Sequence, residues 1–134
     1  MSRRIFVFGS NRLGIHGAGA ARCAREEHGA QHGVGEGLTG ESYALPTCSA
    51  PGVPLRLVDV AHHVRVFLAY AKANPEMTFA VTKVGCGIAG FTPGQIAPLF
   101  KGAPANCELP ERWRELGDPG SPDLRVECVT EEAS

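Results

Sequence analysis

The sequence has little of what usually marks a nucleic-acid-binding or ATP-hydrolysing protein. Aromatic residues make up 7% of the chain, and 13 basic side chains against 14 acidic ones leave a formal net charge of -1. Because such a surface has no broad positive field, nonspecific nucleic-acid binding is not expected. The chain also has no Gly-Lys-Ser or Gly-Lys-Thr triplet, which argues against a lysine-bearing phosphate loop of the ATP-hydrolysing type.

Long hydrophobic runs and closely spaced cysteines are also absent. The apolar run near the N-terminus, Ile5 to Phe8, is too short for a signal peptide, and no stretch approaches the roughly 20 apolar residues that span a bilayer. The cysteines include no C-x-x-C pair; they are Cys23, Cys48, Cys86, Cys107 and Cys128. We therefore expect a cytoplasmic protein with reduced thiols, no membrane partner, no metal site and no cofactor.

Length and composition predict one domain. A chain of 134 residues, 43% of them hydrophobic, buries roughly 68% of the surface that its unfolded form exposes. That interior is large enough to hold the fold together without disulfides. We expect a single domain over residues 1–134, with no linker or internal repeat.

Short apolar segments of strand type alternate with segments of helical period. The predicted strands cover residues 5–8, 42–45, 77–83, 106–109 and 124–129. The predicted helices cover residues 18–28 and 57–71, followed by a helix from residue 93 and a helical turn over 110–116. Residues 29–41 are interpreted as a long loop, and Pro46 is expected to end the second strand. This order predicts an α/β fold, a three-layer sandwich with a mixed, largely parallel central sheet.

Two glycine-rich loops each follow a predicted strand and precede a predicted helix. The first glycine loop covers residues 9–19, and the second glycine loop covers residues 84–91. In open α/β sheets ligands bind beyond the carboxyl ends of strands, where bare amides and the positive end of a helix can hold a phosphate. Two such loops in one site favour a diphosphate ligand; the alternative for each loop is an ordinary tight turn. The dinucleotide fingerprint G-x-G-x-x-G is not completed after Gly17-Ala18-Gly19.

Three segments, in order along the chain, resemble those of macrodomains, the ADP-ribose-binding modules. Residues 7–21 resemble the strand and loop that the family places against the distal ribose and diphosphate. Residues 35–46 are similar to the stretch that leads into the next strand, and residues 84–91 are similar to the second phosphate loop. The resemblance covers about residues 5 to 100. It implies a macrodomain-like fold and the binding of ADP-ribose or a related NAD-derived nucleotide.

The resemblance also implies which positions contact the ligand. Asn11 matches the asparagine at the distal ribose, and Phe91 matches an aromatic residue near the same ribose. The implied ligand positions are Gly9, Ser10, Asn11, Gly17, Ala18, Gly19, Gly85, Cys86, Gly87, Ile88, Ala89, Gly90 and Phe91. The chain departs from many macrodomains in two ways. In many members extra strands come first and their loop supplies an aspartate to adenine, whereas here the first matched strand starts at residue 5, so the resemblance does not imply selectivity for adenine. Gly19 stands where de-ADP-ribosylating members have an aspartate.

Asn11 and His16 are the catalytic candidates. In a hydrolase that removes ADP-ribose from a modified target, Asn11 would orient a water. His16 could orient a ribose hydroxyl or act as a general base near neutral pH, or it could be a solvated loop histidine. A different class of function is a thiol hydrolase built on Cys86 with His16 as its base, for which the competing interpretation is a small buried cysteine.

The other polar candidates have solvated alternatives. Glu36 and Glu41 could serve a ribose or an acid–base step, or they could be ordinary loop glutamates. His62 and His63 are neighbours on the long predicted helix and point about 100° apart, so they cannot chelate one metal together. With Asp59 one turn earlier, they are expected to form a solvated face.

Overall fold

The structure, a computed structural model, describes residues 3–116. Its strands are β1 Arg3–Asn11, β2 Gly37–Thr39, β3 Ser42–Ala50, β4 Val53–Pro54, β5 Met77–Val81 and β6 Cys107–Glu108. Its helices are α1 Gly19–Glu27, α2 Leu57–Ala73, α3 Pro93–Ile96 and α4 Trp113–Leu116, with a 3₁₀ turn, Ala97–Phe100, directly after α3. The predicted strand at 124–129 lies outside the described residues.

The strands form a mixed sheet in which most neighbours are parallel. The strand order is β2-β3-β1-β5-β6, and β4 pairs with the far end of β3. β1 runs parallel to both β3 and β5, and β5 runs parallel to β6. β2 and β4 are antiparallel to β3. The predicted α/β class with a mixed, mostly parallel sheet is confirmed.

β1 lies at the centre of the sheet and buries both of its faces. Ile5 and Val7 belong to the larger hydrophobic cluster, which also contains the buried side of α2. Phe8 belongs to a smaller cluster with Ala24 of α1, and Phe6 packs against that cluster. Because side chains alternate between the faces of a strand, the two helices pack against opposite faces of β1. Fully burying an aliphatic or phenyl side chain contributes roughly 1.5–3 kcal/mol, so both faces stabilise the fold.

The helix predictions are confirmed to within a few residues. α2 buries one side at helical spacing, with Val60, Val64, Phe67 and Ala71 all inaccessible. α3 begins at the predicted site, where the Thr92 side chain accepts a hydrogen bond from the Gln95 backbone and the Gln95 side chain accepts one from the Thr92 backbone. This reciprocal capping stabilises the first turn, since it satisfies N–H groups that the helix itself cannot.

Two predictions about the middle of the chain are wrong. β3 continues through Pro46 to Ala50, and the supposed long loop over residues 29–41 contains β2. On the outer side of β3, β2 pairs only as far as Ala44 and β4 pairs from Cys48 onward. Pro46 lies in the gap between them, where that side of the sheet requires no backbone N–H, so the strand tolerates proline.

Candidate functional site

The two glycine loops leave the sheet at neighbouring strand ends. The first glycine loop follows β1 and the second glycine loop follows β5, and these strands are adjacent and parallel. From β1 the chain continues through α1 towards β3 on one side of the sheet, whereas from β5 it continues towards β6 on the other. Because the connections diverge, a crevice opens between the loops, as at the switch points of other open α/β sheets.

A cleft of about 1130 Å³ occupies this crevice. Its walls come from both glycine loops, from α1 and from the turn between β3 and β4. The predicted ligand positions that line it are Gly9, Ser10, Asn11, Gly17, Ala18, Gly19, Gly85, Cys86, Gly87, Ile88 and Ala89. The other two predicted positions, Gly90 and Phe91, do not line the cleft. The Gly90 N–H donates to Gly87 O at 3.0 Å, and Phe91 packs against the larger hydrophobic cluster.

Gly9 brings the two loops into contact at the base of the cleft. A Cβ atom at this position would lie 3.4 Å from the Gly85 nitrogen and 3.7 Å from the Val84 Cα. It would also lie 3.3 Å from Thr47 Oγ1. A methyl group here would touch Gly85 and Val84 at ordinary contact distance and would require a small shift of the Thr47 hydroxyl, so Gly9 marks where β1, β3 and the second glycine loop come closest.

Backbone N–H groups on both sides of the cleft have no internal acceptor. Within residues 3–116, no hydrogen bond is made by the N–H groups of Gly17, Ala18 and Gly19, nor by those of Gly87, Ile88 and Ala89. Those in the first glycine loop sit at the start of α1, where the helix dipole is positive. Two groups of donors without internal acceptors thus belong to residues that line one cleft, an arrangement suited to an anion.

Asn11 lines the cleft, but its side-chain amide is engaged within the first glycine loop. Nδ2 donates to Ile15 O at 2.9 Å, and Oδ1 accepts from the Ile15 N–H at 3.1 Å. The residue is 7% exposed. Each end of the amide therefore makes one hydrogen bond that holds the loop closed, and one N–H of Nδ2 and one lone pair of Oδ1 are left over.

Lys83 is the only charged residue of the described chain that lines the cleft. It follows β5 and leads into the second glycine loop, and the residue is exposed. The ion pairs found within residues 3–116 do not involve its ammonium group. A single positive charge beside two groups of N–H donors adds to the attraction for an anion.

His16 is fully buried, so its interpretation as a solvated loop histidine is wrong. Its Nε2 donates to Val34 O at 3.1 Å, and its ring meets the Phe8 ring edge-on at 5.2 Å. Nδ1 has no hydrogen-bond partner within the described chain. His16 does not line the cleft, and the structure therefore does not bring this predicted base to the site. His16 instead holds the first glycine loop in place on the side away from the cleft. Its ring bonds to Val34, and its backbone carbonyl accepts a hydrogen bond from Arg25 Nε at 3.0 Å.

Stability should fall in mild acid because of His16. Burial lowers the pKa of His16 below its usual 6.5, and the nearby positive charges of His32 and Arg25 lower it further. The unfolded chain takes up the proton first, so the free energy of unfolding should decrease as pH falls from 6.5 to the lowered pKa. For one proton the slope is at most about 1.4 kcal/mol per pH unit. Urea titrations between pH 7.5 and 5 measure it.

The control for this prediction is His16→Gln, whose Nε2 can still donate to Val34 O but cannot take up a proton. The variant should show a shallower pH dependence than the wild type over the same range. The other histidines are present in both proteins, so the difference between the two curves isolates His16. Parallel curves would contradict the assignment.

The structure does not pair Cys86 with His16. Cys86 is half-buried and lines the cleft, whereas His16 lies behind the first glycine loop. A second cysteine that lines the cleft, Cys48, is buried, and burial raises the pKa of its thiol. Such a thiol is a poor nucleophile at neutral pH because little of it is ionised.

Sequence reasoning missed two walls of the cleft. The turn between β3 and β4 contributes Thr47, Cys48, Pro51 and Gly52. The pair Pro51-Gly52 is a sequence signal for a turn. Because β3 was predicted to end at Pro46, this turn was not recognised as the loop that follows the end of β3.

The second missed wall comes from β1 and α1. It consists of Phe6, Ala20, Ala21 and Cys23. The Phe6 ring stacks on His28, with centroids 4.2 Å apart and an angle of 9° between the planes. The alternation of side chains along β1 could have predicted this wall, because it places Phe6 on the same face of the sheet as Phe8, towards α1.

The prediction that His62, His63 and Asp59 form a solvated face of α2 is wrong for His63. This residue is 7% exposed, and its Nδ1 donates to Glu36 Oε2 at 2.9 Å. Its Nε2 accepts from Arg12 Nη2 at 3.2 Å. Glu36 is therefore bonded to α2, and through His63 it is linked to Arg12 of the first glycine loop. Glu41 forms an exposed ion pair with Arg3 at 3.2 Å. Neither glutamate lines the cleft.

The described residues contain neither a metal-binding cluster nor a membrane span. Within residues 3–116, no group of three or more His, Cys, Asp or Glu side chains is placed to hold a metal ion. No helix in the same range is both long and apolar enough to cross a bilayer. Comparisons of the chain with family models, curated proteins and solved structures found no match.

Proposed function

We propose that the protein binds ADP-ribose or a related NAD-derived nucleotide, with the diphosphate held between the two glycine loops. The observation that carries this proposal is the set of backbone N–H groups without internal acceptors on two walls of one cleft. Hydrogen bonds to a charged phosphate oxygen are roughly twice as strong as those between neutral groups. Two groups of donors match the two phosphates of a diphosphate better than they match a single phosphate.

The size and lining of the cleft support a ligand larger than a diphosphate. Its volume of about 1130 Å³ is slightly above the roughly 300–1,000 Å³ usual for the pockets of drug-sized ligands. The apolar wall formed by Phe6, Ala20, Ala21 and Cys23 offers an aromatic ring and small side chains to a base. The cleft therefore has room for a nucleotide's base and sugars as well as its phosphates.

The resemblance to macrodomains supports the same ligand. Two of the three segments that carry it contain the glycine loops, and both of those loops line one cleft. We also propose the finer architecture of that family, a three-layer sandwich, which is supported by the packing of α1 and α2 against opposite faces of β1.

Binding fits the cleft better than hydrolysis does. Among residues 3–116, no histidine, aspartate or glutamate lines the cleft, so Lys83 and three cysteines are the titratable side chains that the described lining offers. The amide of Asn11 is held by Ile15. The absence of a histidine from the described lining also weighs against a thiol hydrolase on Cys86. We therefore propose a binding function, with removal of ADP-ribose from a modified target as the alternative outcome of the test.

Isothermal titration calorimetry with ADP-ribose tests the proposal, with adenosine as the ligand that lacks phosphate. We expect binding of one ADP-ribose per chain and no measurable heat with adenosine. A thermal shift should accompany binding, since a ligand at 100 times its Kd stabilises the folded state by about 2.7 kcal/mol. Absence of both heat and thermal shift at millimolar ADP-ribose would exclude the proposal. Release of free ADP-ribose from a modified protein would assign hydrolysis instead.

A further inference from the structure

The polar side chains that line the cleft are almost all engaged by the protein itself. The Ser10 hydroxyl donates to Gly35 O, and the Thr82 hydroxyl donates to Val7 O at 2.8 Å. The Thr47 hydroxyl donates to Ser10 O at 3.4 Å. Asn11 uses both ends of its amide on the Ile15 backbone. Of the described lining, Lys83 is the exposed side chain with a charged donor, and the ion pairs within residues 3–116 do not involve it.

The strong donors that remain for a ligand are backbone N–H groups and the Lys83 ammonium, and they can bond only to acceptor atoms of that ligand. Backbone N–H groups and an ammonium donate hydrogen bonds and accept none, so they recognise phosphate oxygens. No carboxylate side chain lines the cleft within residues 3–116 to accept from the exocyclic amine of a base, and the Asn11 amide oxygen, which already accepts from Ile15, belongs to a residue that is only 7% exposed. Phe6, Ala20, Ala21 and Cys23 can contact the flat face of a base, but every base has such a face.

From this lining we infer that the cleft selects its ligand by the diphosphate and tolerates different bases. The inference rests on the proposed function and narrows it to a class of ligands, the nucleoside diphosphate riboses. Sites built to hydrogen-bond a substrate group reject an analogue lacking it by factors of about 10⁴–10⁵, whereas apolar contacts discriminate far less. In this cleft the base of the ligand would make apolar contacts, which discriminate weakly between bases.

Three nucleotides that differ only in the base test this inference. Calorimetry would compare ADP-ribose with IDP-ribose, in which hypoxanthine reverses the hydrogen-bonding pattern of the adenine edge, and with GDP-ribose. We expect the three Kd values to agree within about fivefold, because stacking depends weakly on the base. AMP, which lacks the second phosphate and the distal ribose, should bind at least about thirtyfold more weakly, since it loses the charge-assisted hydrogen bonds to that phosphate together with the contacts of the ribose.

The outcomes separate this inference from the proposed function. No binding of ADP-ribose overturns the proposed function and the inference together. Binding of ADP-ribose with a loss of more than twentyfold for IDP-ribose or GDP-ribose overturns the inference alone. AMP binding as tightly as ADP-ribose would also overturn it, because the base and a single phosphate would then carry the affinity.

The variant Lys83→Gln provides an independent measurement. If Lys83 contacts the diphosphate, its loss should weaken all three nucleotides by the same factor, about tenfold. Lys101→Gln is the matched control, since Lys101 is also exposed but does not line the cleft, and it should change none of the affinities. A loss confined to one base, or equal losses in the two variants, would contradict the inference.

Discussion

The variant Gly14→Ala should lose roughly 3–4 kcal/mol of folding stability, a large effect for a single methyl group. Gly14 has φ +72°, a left-handed conformation that costs alanine about 1 kcal/mol. In addition, a Cβ atom there would lie 2.3 Å from the carbonyl carbon of Gly33 and 2.6 Å from the Val34 nitrogen. Both contacts are with backbone, so the clash cannot be relieved by a change of rotamer. Urea denaturation of the variant and the wild type measures the difference.

Alanine variants at two other glycines serve as controls that separate the effect of the clash from that of the backbone conformation. Gly33 has φ +98° but open space around its Cβ position, so Gly33→Ala should show only the conformational cost, about 1 kcal/mol. Gly17 has neither a positive φ nor a neighbour within 4 Å, and Gly17→Ala should leave stability nearly unchanged. If all three variants lost the same stability, close packing of the first glycine loop against residues 33–34 would not be the cause.

Replacing Ala20 by glutamate should remove most of the ligand affinity without unfolding the protein. Ala20 lies in the first turn of α1 and lines the cleft, where N–H groups lack internal acceptors. A carboxylate there would compete with the ligand for these donors and repel the diphosphate, a like-charge effect of several kcal/mol. We expect ADP-ribose affinity to fall at least about thirtyfold, as measured by calorimetry.

The fold itself should tolerate the glutamate. Glutamate is a good helix former, and a negative charge in the first helical turn is stabilising by about 0.3–1 kcal/mol. The melting temperature of Ala20→Glu without ligand should therefore match or exceed that of the wild type. Ala20→Gln, which has the same size and no charge, should retain more affinity than Ala20→Glu. Equal affinities in the two variants would mean that size alone governs binding, contrary to an anion site.

Local patterns were enough to predict the main helices and strands. The apolar spacing of α2 follows from the geometry of one helix, and Thr92-Pro93-Gln95 specifies a helix start through contacts within four residues. The likelihood that two strand-to-helix loops share a site follows from a general property of parallel sheets. For these features, the residues that determine the structure are close together in the sequence.

The hydrogen-bond partners of the buried histidines were beyond such reasoning. The partners of His16 and His63 lie 18 and 27 residues away along the chain. Whether a histidine in a loop or on a helix faces water depends on which segment packs over it. For His63 the spacing did carry a signal, because the residue lies three positions after Val60 and four before Phe67, on the buried side of α2. No such pattern surrounds His16.

By itself, the sequence determined the α/β class, the positions of the principal helices and the two glycine loops, since each depends on the conformational preferences of a short segment. Only the tertiary structure decided that the loops share one cleft, that Asn11 is engaged and that His16 lies behind the wall. It also decided that the β3–β4 turn and α1 complete the cleft. These features depend on strand order and on hydrogen bonds between distant segments, which a periodic pattern along the chain does not specify.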